Sequence, residues 1–231
     1  MAVSSEPIGS VMIVGGGVSG IQSALDLADS GYKVYMVDRR PSIGGTMAQL
    51  DKTFPTNDCS MCILAPKLVA CGRHHNIELI TNAEVSIVEG NEGAFRVTLK
   101  KRALRVNEEK CTGCGTCATK CPMEGKDEYN EKSKKRKAIY VSYAQAVPLV
   151  YAIDPNLCIG CGICQNECRA KAIEYDQTEK IIELNVGSII LSPGFDEFDA
   201  TQKPEYGYGR FKNVVTSIEF ERMLSATGPY V

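Results

Sequence analysis

The sequence predicts an α/β fold with a smaller α+β module set into it, and three observations carry this reading. A glycine-rich turn joins an apolar run to an amphipathic stretch near the N-terminus, two cysteine runs of one spacing occupy the middle of the chain, and strand-like apolar segments lie on both sides of them.

The first element is the apolar run Val11–Val14, which reads as a buried strand. Gly15-Gly16-Gly17-Val18-Ser19-Gly20 follows and contains G-x-G-x-x-G. Val18, Ile21, Leu25 and Ala28 recur at steps of three, four and three, one face of a helix, and Gly31 supplies its stop. Lys33–Val37 reads as a second strand ending in Asp38, 18 residues after Gly20. Strand, glycine turn, helix, strand and acid in this order form a complete Rossmann-like dinucleotide fingerprint. Gly15 permits the tight turn, Gly17 lets backbone approach a pyrophosphate, and Gly20 lets helix and strand pack closely. Val18 and Ser19 open the helix, whose N–H groups and dipole favour phosphate. Asp38 can accept from a ribose hydroxyl. The competing reading, a glycine turn without ligand, leaves the acid and the full order unexplained.

FAD and NAD share this fingerprint. Arg39-Arg40-Pro41-Ser42-Ile43-Gly44-Gly45-Thr46 resembles the segment after the second strand in flavoproteins with two dinucleotide-binding domains, where a GG pair lies along FAD. That resemblance adds Arg39, Gly44, Gly45 and Thr46 as candidate contacts. Gly187–Phe195 resembles their later strand-plus-glycine segment; Ser192-Pro193-Gly194 replaces the usual triplet, with Ser192 and Gly194 as candidates. The reading is FAD. Ile77–Ile80, Glu84–Glu89 and Ala94–Lys100 alternate like short antiparallel strands with a turn at Asn91-Glu92-Gly93. Val85, in the second of them, completes the candidate FAD contacts.

The cysteine runs are Cys111-x₂-Cys114-x₂-Cys117-x₃-Cys121-Pro122 and Cys158-x₂-Cys161-x₂-Cys164-x₃-Cys168. Each has the bacterial ferredoxin spacing for [4Fe–4S] clusters, with Arg169 in place of the second proline. Two-residue gaps wrap three thiolates around one corner, and the three-residue step sends the fourth to the other cluster. One cluster therefore takes Cys111, Cys114, Cys117 and Cys168; the other takes Cys158, Cys161, Cys164 and Cys121. Zinc sites use two CxxC pairs rather than a doubled quartet, and disulfide frameworks suit short secreted chains.

Cys59, Cys62 and Cys71 have no place in that pattern. Three readings stand: a third Fe–S site on Cys59 and Cys62 with Cys71 or a partner adding ligands; a redox dithiol beside flavin; or unliganded thiols. Disulfide reductases place a cysteine soon after GG-T, whereas Met47 stands there in this chain.

The flavin elements lie on both sides of the cysteine runs, so the predicted organisation is a discontinuous FAD-binding domain, residues 1–100 and 183–231, with a ferredoxin module inserted at 101–182. No second G-x-G-x-x-G occurs, so no NAD(P)H domain is expected. The long arm between Cys121 and Cys158 has two open roles, shielding a cluster or contacting another protein chain. Within it, Lys132, Lys134, Lys135, Arg136 and Lys137 read as a solvated loop or an acidic-partner patch. A net charge of −2 argues against nucleic acid. No apolar run of about 18 residues and no signal-peptide pattern appear. The expectation is a cytoplasmic protein whose eleven cysteines do metal and redox work.

The fingerprint glycines, Asn57-Asp58-Cys59-Ser60-Met61-Cys62, the doubled cluster motif and Glu205-Tyr206-Gly207-Tyr208-Gly209 resemble the A-type iron–sulfur flavoprotein subunits of heterodisulfide reductases across nearly the whole chain. The resemblance implies an FAD- and [4Fe–4S]-containing oxidoreductase subunit that converts between two-electron flavin and one-electron cluster transfer, with flavin-based electron bifurcation. Other redox subunits and ferredoxin-like carriers are the implied partners, in a hetero-oligomer that supplies the substrate site. Members of that family continue through more of a thioredoxin-reductase-like domain and often a second ferredoxin module, whereas this sequence stops at Val231. Two alternatives stay open: a non-catalytic relay or assembly component, and an FAD-linked dithiol oxidoreductase using Cys59 and Cys62.

Overall fold

The apolar run becomes β1 (Ser10–Val14); after the glycine turn come α1 (Val18–Asp29) and β2 (Lys33–Val37). This is a computed structural model, and it describes residues 7–230, so the first six residues of the expected flavin unit and Val231 lie outside it. A short hairpin, β3 (Lys52–Thr53) and β4 (Asp58–Cys59), precedes α2 (Ser60–Arg73), which leads to β5 (Ile77–Ile80). Strands β6 (Ala83–Asn91) and β7 (Ala94–Lys101) follow as a hairpin. The cysteine-rich segment holds α3 (Thr116–Lys120), the pair β8 (Glu124–Lys126) and β9 (Lys135–Lys137), the pair β10 (Ile139–Tyr140) and β11 (Ala152–Ile153), and α4 (Ile163–Glu167). Then come β12 (Lys180–Val186), β13 (Ser188–Leu191) and α5 (Ser217–Leu224).

One sheet is parallel with order β13-β1-β2-β5; a second is antiparallel with order β12-β7-β6. Strand β1 is apolar from Val11 to Val14 because it is covered on both faces. Val11 and Ile13 pack with Ile21, Ala24, Leu64 and Leu68 of α1 and α2, while Met12 joins Val97, Leu99, Leu184 and Val186 of the second sheet. The layers are thus helices, parallel sheet and antiparallel sheet. The helix face is set one position away from the expected one: Ala24 is fully buried and Val18 is exposed at the helix start.

One expectation needs correction. Ile77–Ile80 is not an antiparallel neighbour of β6. It lies parallel to β2, Val34 opposite Ile77 through Val37 opposite Ile80, because the chain reaches it by the α2 crossover, which returns it in the direction of β2. Residues 183–191 are strand apart from Gly187, where β12 gives way to β13. The Gly187 N–H donates to Ser10 O (2.8 Å) and a Cβ there would stand 2.2 Å from Ile8 O, so the chain changes sheets at this glycine.

The cysteine-rich segment leaves from the end of β7 and returns at the start of β12, where Lys101 and Lys180 face each other in one ladder. Its own core includes Leu104, Val106, Ile139, Ile153 and Ile173 with Cys117 and Cys164. Among the described residues, no helix is long and apolar enough to cross a membrane.

Candidate functional site

The glycine turn is built by contacts that only glycine allows. Gly15 has φ +109°, and a Cβ on it would stand 2.0 Å from Ser192 O. Ser192 is brought there because its N–H donates to Val14 O (2.8 Å), extending the β13 ladder. A Cβ on Gly20 would meet Gly15 O at 1.9 Å. Gly17, by contrast, faces open space in extended backbone at the N-terminus of α1, beside exposed Val18 and Ser19. That is the open side on which a phosphate could approach the N–H groups. Asp38 is buried at the end of β2, its Oδ2 accepting from Gly16 N–H and its Oδ1 from Arg40 N–H, each at 2.7 Å. A carboxylate has about four acceptor positions, so capacity for a ribose hydroxyl remains.

The GG segment is locked against this turn. Gly44 N–H donates to Gly16 O (2.7 Å), and a Cβ on Gly45 would stand 2.9 Å from Gly17 Cα. Thr46 begins a single turn of 3₁₀ helix, Thr46–Gln49. The other candidates lie further out. Arg39 is exposed with its carbonyl accepting from Arg102, Gly194 is exposed, and Val85 is half-buried in β6 against the Met12–Leu99 core.

The long arm of the cysteine-rich segment reaches this loop. Val147 pairs with Ile43 as an isolated bridge, Tyr143 donates its hydroxyl to Ile43 O, and Tyr129 donates to Ala48 O. The rings of Tyr129 and Tyr143 stack, centroids 5.3 Å apart. Gln49 donates to Tyr129 O (3.1 Å) and Glu131 Oε1 (2.9 Å). Fully buried Arg222 of α5 donates to Asn130 Oδ1, Gln49 O and Thr227 O, with its guanidinium 4.5 Å from the Tyr129 ring centroid. The arm therefore braces the GG loop of its own chain, a role the sequence did not disclose. Its basic stretch is largely consumed locally: Arg136 pairs with Asp154 (2.7 Å), Lys137 with Glu124 (2.7 Å) and Lys132 with Glu128 (3.6 Å).

The eight cysteines of the two runs gather into two cavities. Cys111, Cys114, Cys117 and Cys168 line one, with Tyr151; Cys121, Cys158, Cys161 and Cys164 line the other, with Tyr175. Each run keeps its first three cysteines together and sends its fourth across. The backbones repeat: Gly113 and Gly160 both have φ +69°, and Gly115 and Gly162, at +82° and +76°, cap α3 and α4. Burial pushes the Cys117 thiol up to about 12 and raises Cys164 as well, whereas hydrogen bonding from Thr116 N–H lowers Cys114. Taking up metal must therefore displace protons from the buried thiols.

Cys59 caps α2, its Sγ accepting from Cys62 N–H at 3.2 Å. The hydrogen bond with the Cys62 thiol holds Cys59 below the ordinary range and raises Cys62. Between them Ser60 donates to Met47 O (2.8 Å), which seats the pair beside the GG-T loop. Cys71 is elsewhere. It is buried in the helix-side core, donates to Ile21 O (3.7 Å) and is pushed up to about 11 by burial. Nine residues of helix place it roughly 13 Å along the axis from Cys62, too far to share a cluster.

Residues 10–109 match the family described as FAD dependent oxidoreductase, and residues 104–125 and 151–174 match the 4Fe-4S binding domain. The chain is 57% identical, over 95% of its length, to the A-type iron-sulfur subunit of the CoB--CoM heterodisulfide reductase of Methanocaldococcus jannaschii. It is 45% identical, over 99% of its length, to the A-type subunit of the Ferredoxin:CoB-CoM heterodisulfide reductase of Methanosarcina mazei. The chain is an iron–sulfur flavoprotein like the A-type subunits of heterodisulfide reductases. It spans about a third of the length of these relatives, 34% of the first and 29% of the second. Among solved structures, L-proline dehydrogenase from P. horikoshii is 25% identical over 39% of this chain and 18% of that chain, with a TM-score of 0.34.

FAD and two [4Fe–4S] clusters are the cofactors of this flavoprotein, and the residues present fit them. The space that a Gly17 side chain would occupy is open at the helix N-terminus, where a pyrophosphate can approach backbone, and all eight cysteines of the runs are free thiols. Sequence reasoning missed Gly16, Tyr129, Tyr143, Tyr175 and Arg222. Gly16 was legible as the middle of the motif, but the others act across 80 or more residues or through contacts that spacing does not encode.

Proposed function

We propose that the chain is the electron-transfer part of a heterodisulfide-reductase-like oxidoreductase complex, with residues 1–100 and 183–231 holding FAD and 101–182 holding the two clusters. The observation that carries this is the crossed gathering of the cysteines in a module whose arm braces the GG loop. Bound FAD supplies the exchange between two-electron and one-electron transfer. In this reading Gly15, Gly17, Val18, Ser19 and Gly20 receive its pyrophosphate, and Asp38 its ribose. Arg39, Gly44, Gly45, Thr46, Val85, Ser192 and Gly194 line the remaining path. Cys111, Cys114, Cys117 and Cys168 ligate one cluster; Cys121, Cys158, Cys161 and Cys164 ligate the other.

The CoB–CoM heterodisulfide and ferredoxin named for the relatives are the substrate and carrier classes we assign to the complex, in the cytoplasm. Exposed Leu191, Phe195, Phe198, Tyr206 and Phe211 support partner subunits on the C-terminal side. A second reading is supported at Cys59 and Cys62, whose mutual hydrogen bond beside the GG-T loop suits a redox dithiol or two ligands of a third cluster.

Anaerobic preparation should yield about eight irons per chain, four for each cubane, with non-covalent FAD. A total near twelve would assign a cluster to Cys59 and Cys62. Cys111→Ser and Cys168→Ser should damage the same EPR signal; separate signals lost by the two variants would overturn the crossed ligation.

A further inference from the structure

The two cysteine cavities match in spacing, in their left-handed glycines and in burying the third cysteine of each run, yet they differ in the hydroxyl beside a cysteine sulfur: in one, Thr116 Oγ1 lies 3.6 Å from the Sγ of exposed Cys114. Tyr175 Oη lies 2.9 Å from Cys164 Sγ, on the wall of the Cys121/Cys158/Cys161/Cys164 cavity. The internal repeat shows what the other half has instead. Ile173 bridges to Val106 and Ile139 pairs with Ile153, and Val106 and Ile153 each stand five residues before their first cysteine. Two residues beyond Ile173 is Tyr175; two beyond Ile139 is Val141, which has no hydroxyl. The Cys111/Cys114/Cys117/Cys168 cavity does carry a tyrosine, Tyr151, but it comes from the opposite strand. Among the described residues it makes no hydrogen bond to a cysteine sulfur, and its hydroxyl lies 3.0 Å from where a Cβ on Gly115 would be.

We propose that Tyr175 makes the two clusters unequal, raising the reduction potential of the one held by Cys164 so that an electron entering the module comes to rest there. This rests on the reading that the quartets are cluster ligands. A thiolate bound to iron has no proton to give, so in the loaded protein the Tyr175 hydroxyl is the donor and Cys164 sulfur the acceptor. The one-electron reduction adds negative charge shared over iron and sulfur, and a donor aimed at that sulfur stabilises the reduced form more than the oxidised one. No bond breaks and the proton stays on Tyr175. Cys164 is buried, which strengthens the effect. Tyr175 is a positioning residue for charge, acting through Cys164.

The test is an EPR-monitored redox titration of the anaerobic holoprotein, with Cys111→Ser used to assign the two signals. Wild type should show two midpoints, the higher belonging to the Cys164 cluster. Tyr175→Phe should keep about eight irons and lower that midpoint by about a tenfold change in equilibrium constant, 59 mV for one electron. The other midpoint should stay fixed, and Tyr151→Phe should not reproduce the shift. Eight irons with an unmoved midpoint in Tyr175→Phe would overturn the proposal while leaving the clusters in place. Fewer than eight irons in wild type would overturn the cluster reading itself. If Tyr175→Phe fails to assemble, fluorotyrosine placed at position 175, a stronger hydroxyl donor, decides. A Cys164-cluster midpoint raised above that of wild type supports the proposal, and an unmoved one refutes it.

Discussion

Gly15 and Gly17 stand two residues apart in one motif and are required for opposite reasons. Gly15 is fixed by the protein itself, through its φ of +109° and the 2.0 Å approach of Ser192 O to any Cβ. Gly15→Ala should therefore part β1 from β13 and cost roughly 3–5 kcal/mol by chemical denaturation, from strain and overpacking together. Gly17 is open on the side of its missing Cβ. Gly17→Val should leave the fold within about 1 kcal/mol of wild type while losing FAD, read as flavin absorbance per protein. The sequence motif treats both as glycine; only the second is a matter of ligand. Cysteine reactivity divides in the same way. In the reduced, cluster-free chain at neutral pH, Cys59 should alkylate ahead of Cys62 and Cys71, since the Cys62 thiol and N–H favour its thiolate. Cys71, pushed up to about 11 by burial, should stay unmodified. Peptide mapping that found Cys71 labelled as fast as Cys59 would contradict the assignment. The sequence grouped these cysteines because their neighbours in the chain are close. The helix separates them.

At the scale of elements, most of the parallel sheet was legible, because a covered strand must be continuously apolar and a crossover must carry a periodic helix. The direction of Ile77–Ile80 was not, since alternation reports one buried face and says nothing about which strand lies alongside. The arm was the least legible element. Its lysine-rich stretch 132–137 reads as solvated loop, yet Tyr129 and Asn130 just before it and Tyr143 and Val147 in the apolar segment after it hold the GG loop, and Arg222 closes the joint from α5. Arg222 makes no ion pair among the described residues, so its hydrogen bonds to Asn130, Gln49 and Thr227 must carry the buried charge. Arg222→Met should leave those acceptors unmet and cost about 3 kcal/mol in urea unfolding, each unmet buried group costing roughly 1–3 kcal/mol. A change below about 0.5 kcal/mol, the ordinary surface range, would show that the joint is not structural.

For the whole molecule, the facing ends of β7 and β12 let a module be inserted without disturbing either sheet. Replacing residues 102–179 by Asn-Gly should close the Lys101–Lys180 ladder as a two-residue hairpin. The shortened chain should fold but bind FAD at least tenfold more weakly, because Tyr143 and Ala146 leave the helix-side core and the GG loop loses its brace. Fluorescence titration of FAD into both chains reads this directly. Unchanged affinity would mean that module and flavin unit are independent.

The fastenings of the module also set how it can move. The paired ends of β7 and β12 are one point of attachment, and the Ile43–Val147 bridge with Tyr143 is a second. A body pinned at two points can still turn about the line through them, like a door on its hinges. Arg222 ties Asn130 of the arm to Gln49 and to α5, and through the Tyr129 ring that stacks on Tyr143 it broadens that second fastening. A hinge leaf this broad resists turning. Arg222→Met, which removes its outer edge, should let the module swing and so vary the spacing between the cysteines and the GG loop.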